Sequence, residues 1–102
     1  MLGIRFEWDE RKNLANQRKH GVSFVAASRV FLDPLFVSLK DRIQDAEQRW
    51  RTYGEVDGIL LLMVAHTVRE DIGQDETIEV VRIISARRAT KRERQLYEEE
   101  NR

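Results

Sequence analysis

Cysteine is absent from this 102-residue chain, which excludes disulfides and thiolate metal sites and is compatible with a reducing cytoplasm. Proline occurs once, at Pro34, and glycine five times, so little interrupts regular secondary structure. The two histidines, His20 and His66, lie far apart in the sequence. With scattered carboxylates they make no zinc or two-magnesium constellation, and neither metal nor cofactor is expected. A phosphate-binding glycine loop, a nucleophile elbow and a Cys-His pair are missing as well. The longest apolar run, Ile59 to Ala65, is far too short to span a bilayer, and no signal-peptide pattern precedes Phe6; a cytoplasmic protein with no membrane association is expected. Net charge is also lacking, because 18 basic and 18 acidic residues cancel. With no repeat or linker and enough length for one core, residues 1–102 read as a single domain.

What is present is regular patterning. Ile4-Arg5-Phe6-Glu7-Trp8 alternates as a half-buried strand does. Asp9 can cap a following helix and Gly21 can end it. Leu14 and Ala15 are its only apolar interior residues, so one narrow stripe is expected to pack. Ser23 caps a second helix whose Phe24, Ala27, Val30 and Phe31 recur at helical intervals. Asp33-Pro34 stops it. Leu35 to Leu39 reads as a strand, Asp41 to Gln48 as a loop, and Arg49 to Tyr53 as an alternating strand. Asp57-Gly58 is a hairpin turn. Ile59 to Thr67 is a central strand covered on both faces, and His66 ends it, where a side chain can leave the core for a cleft. After a polar loop, Thr77 to Ala86 is the last strand. Thr90 and Glu93 have capping-box spacing for a closing helix. The order predicts an α+β fold: an antiparallel β-sheet with two N-terminal helices and one C-terminal helix, the helices packed on one face.

Charge is unevenly distributed along this neutral chain. Acids predominate from Asp41 to Glu79, where the ordinary reading is solvated loops and strand edges. From Arg82 to Arg94 basic residues crowd a strand-to-helix junction, with Glu93 the only acid. A local positive field on a neutral domain points to an anionic partner, and RNA fits. Alternation puts Ser85 and Arg87 on one face of the last strand and Arg82 with Ile84 on the other.

Several segments together are similar to the BrnT family of bacterial toxins. Phe6-Glu7-Trp8-Asp9, Lys12, Asn16 and Lys19-His20-Gly21-Val22-Ser23-Phe24 resemble its opening signature. Val30-Phe31-Leu32-Asp33-Pro34, Glu47-Gln48-Arg49, Gly54, Val64-Ala65-His66-Thr67, Arg82-Ile83-Ile84-Ser85-Ala86-Arg87, Glu93 and Tyr97 continue it in order. The stretch Glu70 to Glu76 departs from the pattern in being longer and more acidic. The resemblance implies a RelE-like ribonuclease toxin of a type II toxin–antitoxin pair that cuts RNA and stops translation. It also implies a BrnA-type antitoxin that covers the toxin and carries the DNA-binding domain, so operator DNA is met only through the antitoxin.

Metal-independent RNA cleavage uses the 2′-hydroxyl as internal nucleophile and needs proton carriers and cations around the phosphorane. His66, Arg82 and Arg87 are the catalytic candidates: an imidazole that titrates near neutrality, and two guanidinium forks suited to phosphate. Lys19, His20, Arg51, Tyr53, Arg69 and Lys91 are the RNA-binding candidates, Tyr53 as an open stacking surface. Lys19 and His20 have a structural alternative, since positive charge favours a helix C-terminus. The rival reading of the whole chain is a non-catalytic RNA-binding or protein-interaction module on the same fold.

Overall fold

The computed structural model describes residues 2–102. The elements run β1 Leu2–Glu7, α1 Glu10–His20, α2 Phe24–Ser28 continuing into a 3-10 turn Arg29–Leu32, β2 Val37–Gln44, β3 Glu47–Val56, β4 Leu60–Ile72, β5 Thr77–Arg88 and α3 Lys91–Glu100. The strands form a sheet in the order β1-β5-β4-β3-β2. Strands β2 to β5 are an antiparallel meander, but β1 lies parallel to β5, from Leu2 opposite Thr77 to Glu7 opposite Arg82. The antiparallel sheet expected from the sequence is thus corrected to a mixed one. Its first and last strands are neighbours, and the two helices and the meander between them supply the long connection that parallel pairing requires.

The helices divide between the faces rather than sharing one. Val22, Phe24, Ala27 and Val30 pack on Val56, Leu62, Val64, Val81, Ile83 and Ala86. On the other face, Tyr97 and Leu96 of α3 meet Tyr53, Leu61 and Met63. Alternation along β4 sends Leu62 and Val64 one way and Leu61 and Met63 the other, so the central strand is covered on both sides as expected. These are called the α1–α2 face and the α3 face.

Local signals hold where local chemistry suffices. Asp9 accepts from the Arg11 and Lys12 amides, Gly21 ends α1 at φ 70°, and both halves of the Thr90–Glu93 capping box form. The apolar stripe expected on α1 does not pack: Leu14 and Ala15 are exposed, and the buried residues are Asn13 and Asn16. The expected loop from Asp41 to Gln48 is instead a β2–β3 hairpin, turning on Asp45 and Ala46 at φ 53° and 63°. Strand β4 does not stop near His66 but continues to Ile72 as an exposed arm paired to β5.

One irregularity in β5 decides which arginines share a face. Ala65 pairs with Ser85 while His66 pairs with Ile83, so Ile84 is an extra residue, a β-bulge. The bulge reverses the alternation across it. Arg82, opposite Thr67, therefore joins Ser85 and Arg87, opposite Ala65 and Met63, on the α3 face. The opposite-face placement read from simple alternation is corrected.

Candidate functional site

The part of the α3 face that α3 leaves open is a cleft of about 280 Å³ among Arg42, Arg49, Arg51, Ser85 and Arg87, floored by Met63 and Ala65 with Asp41 on its wall. The pleat of β3 sends Arg49 and Arg51 to the same side. The end of β5 brings Arg87 beside them. Four guanidinium groups against two carboxylates, Asp41 on the wall and Glu93 behind Arg87, leave the cleft with a positive character that the net charge of the chain conceals.

Glu93 fixes the geometry at one end. Its carboxylate accepts both terminal nitrogens of Arg87, at 2.7 and 3.1 Å, in a forked pair. It also accepts the Thr90 amide at 2.8 Å and the Tyr53 hydroxyl at 3.1 Å, and lies 4.0 Å from Arg51. Burial alone would raise the Glu93 pKa, but Arg87, the Thr90 amide and Tyr53 outweigh it and push it down to about 2. Glu93 in turn holds Arg87 in its charged form. At the opposite wall Arg51 donates to Asp41 at 3.2 Å. Arg51 and Arg87 are thus held in place before any ligand arrives.

The structure brings some candidate residues together and separates others. Arg51 and Arg87 line the cleft. Tyr53 lies beneath it and is buried, 4% exposed; it is an anchor for Glu93, not the open stacking surface expected. Arg82 and Arg69 share the face but form a second cluster on Glu7, at 3.7 and 2.6 Å. Lys19 and His20, at the C-terminus of α1, line a shallow groove with Lys12 on the far side of Ile84 and Ser85, the two residues that also border the arginine cleft. Lys91 is exposed at the start of α3.

His66 is on the other face. It sits in mid-strand and is 2% exposed, so it does not reach the arginine cleft. Its Nε2 is 2.7 Å from Thr52 Oγ1, which is 2.6 Å from Ser38 Oγ, and its Nδ1 is 3.4 Å from the Thr67 carbonyl. A neutral ring protonated on Nδ1 satisfies this whole chain, each hydroxyl donating toward the ring. Phe31 packs edge-on at 5.1 Å. Burial pushes the His66 pKa down to about 4, only partly opposed by the Thr67 carbonyl.

Three contributors escaped the sequence reading. Arg42 fell in the supposed loop. Arg49 was legible in principle, since Arg49-Trp50-Arg51 alternates and must place both arginines together. Glu93 is named in the sequence as a helix cap and as the single acid of the basic block but not among the site residues, although such an acid is a natural partner for its basic neighbours.

Residues 8–93 match the family model described as "Ribonuclease toxin, BrnT, of type II toxin-antitoxin system". Among solved structures, the chain is similar to the crystal structure of the Brucella abortus ribonuclease toxin BrnT. The two share 25% identity at a TM-score of 0.53, over 89% of this chain and 99% of that one. No curated protein matches the chain in sequence.

Proposed function

The chain belongs to the BrnT family of ribonuclease toxins of type II toxin–antitoxin systems, and from this premise we propose that it cleaves RNA in the arginine cleft of the α3 face. The observation that carries the proposal is the convergence of Arg42, Arg49, Arg51 and Arg87 on one cleft, two of them already oriented by carboxylates. In the reaction proposed, the 2′-hydroxyl gives up its proton to solvent and attacks the adjacent phosphorus, the bond to the 5′-oxygen breaks, that oxygen takes a proton from solvent, and a 2′,3′-cyclic phosphate and a 5′-hydroxyl result. Negative charge accumulates on the non-bridging oxygens. Fixed guanidinium groups stabilise that charge without having to reorganise, which is where preorganised donors are most effective. Arg51 and Arg87 take this role, and Arg42 and Arg49 hold flanking phosphates. Arg69, Arg82, Lys19, His20 and Lys91 extend the cationic surface. His66, turned to the opposite face, is assigned a structural role.

The finer parts of the proposal follow from the family. The nuclease works without a metal in the cytoplasm as a single RelE-like domain, its cleavage stops translation, and a BrnA-type antitoxin neutralises it and mediates any contact with operator DNA. The test is cleavage of a defined RNA by the purified chain and by Arg51→Ala/Arg87→Ala, with folding checked by circular dichroism. Removing a single fixed donor typically costs about 10²–10³ in rate, so the double variant should fall at least a hundredfold. Excess EDTA should leave cleavage intact; a loss restored by magnesium would sink the metal-free route. Salt-sensitive RNA binding with no cleavage would leave a binding module in place of an enzyme.

A further inference from the structure

The α1–α2 face is only partly covered. Beyond the 3-10 turn it opens into an apolar groove of about 300 Å³ that includes Ile4, Phe36, Trp50 and Val68. Three of these are freely accessible: Ile4 at 50%, Phe36 at 44% and Val68 at 36% exposure. An apolar patch of this kind, gathered rather than scattered, marks an interaction surface.

The charge at its edge says what kind of partner fits. Glu70 of β4 and Glu79 of β5 lie directly opposite each other across the sheet on this face, and Glu79 borders the groove. Like charges facing each other across a strand pair are destabilising. Among the described residues neither carboxylate is in an ion pair. At the far side Lys40 lies over the Trp50 ring, its Nζ 6.0 Å from the centroid. Among the described residues the groove thus has an acidic end without an ion pair, with Lys40 over Trp50 at the other. Nucleic acid is repelled by the acidic end. A second copy docked about a twofold axis there would bring four carboxylates together.

We propose that this groove docks the antitoxin, through a segment that lays apolar side chains against Trp50, Phe36, Ile4 and Val68 and places a lysine or arginine between Glu70 and Glu79. The proposal rests on the toxin–antitoxin reading above and adds the place and the chemistry of contact. It puts the antitoxin anchor on the face opposite the arginine cleft. Cleft and anchor can then be mutated independently.

The test uses the chain together with the antitoxin encoded beside it. Glu70→Lys/Glu79→Lys should weaken antitoxin binding at least tenfold while RNA cleavage by the free chain is unchanged, so cells expressing it are no longer rescued by the antitoxin. In a Trp8→Phe background, where Trp50 is the only tryptophan, its emission should shift to the blue as the antitoxin buries it. If the complex forms with unchanged affinity and unchanged Trp50 emission, the groove is not the docking site and the nuclease reading stands. If the chain self-associates through the groove, shifting the Trp50 emission to the blue without any antitoxin present, the occupant is a second copy and the proposal fails. If no complex forms at all, both the groove and the antitoxin partnership are overturned, while cleavage by the free chain decides the nuclease separately.

Discussion

Charging His66 means placing an imidazolium in a site 2% exposed, against the edge of Phe31 and the Thr52 hydroxyl. Its pKa in the fold is pushed from the usual 6.5 down to about 4. The unfolded chain therefore takes up the proton first as pH falls. The stability contributed by the neutral ring is complete above about pH 6.5 and is lost progressively toward pH 4, at up to about 1.4 kcal/mol per pH unit and on the order of 3 kcal/mol in all. Urea unfolding at pH 7.5 and at pH 5 should show this loss, and His66→Gln should remove most of the difference while lowering stability at pH 7.5. An undiminished difference in the variant would assign the pH dependence to other groups. The same burial explains why the sequence misled at this residue. A histidine after a long apolar run looks like a strand end, yet hydrogen bonds from Thr52 and onward to Ser38 allow it to continue the core.

Among the elements, the junction of α1 with β5 depends on one amide. Strand β1 stops opposite Arg82, leaving the next stretch of β5 without a strand on that side. Asn16 takes the strand's place: its Nδ2 donates to the carbonyls of Ala86 and Val22, both at 2.8 Å, and its Oδ1 accepts the Ala86 amide at 3.1 Å. Asn16→Ala would strand three buried backbone groups, each costing about 1–3 kcal/mol if left dry. Water entering the space offsets part of this, so a loss of about 2–4 kcal/mol in unfolding free energy is expected. A loss below about 0.5 kcal/mol, the range of ordinary surface substitutions, would mean that α1 is held otherwise. The element scale is also where the sequence is read best and worst. Helix ends at Asp9, Gly21 and Thr90 are decided by side chains within a few residues, so their spacing is enough. The Asp57-Gly58 turn is legible because both residues tolerate positive φ, here 57° and 68°. By contrast, Asp45-Ala46 makes the same kind of turn with no glycine to announce it. The bulge at Ile84 leaves no mark in composition, yet it alone brings Arg82 to the face of Arg87. The parallel seating of β1 is chosen by a strand some seventy residues away, beyond any local pattern.

For the whole molecule, the zero net charge conceals local concentrations of each sign. The α3 face carries the arginine cleft, and the far end of the α1–α2 face carries Glu70 and Glu79. Salt reveals whether the two act separately, because binding of single-stranded nucleic acid depends on the counterions that local cations release, with a log–log slope of about −0.7 per phosphate neutralised. If Arg42, Arg49, Arg51 and Arg87 set the contact, the slope for a short RNA should be about −2 to −3. Arg51→Ala/Arg87→Ala should make it shallower by about 1.4. Glu70→Lys/Glu79→Lys, which makes the whole chain more positive, should leave the slope unchanged, because screened charges on the opposite face release no counterions at the contact. The comparison can be read from RNA titrations across a range of salt concentrations. Equal steepening by the charge reversal would show that net charge governs RNA binding, and the division of labour between the two faces would fall with it.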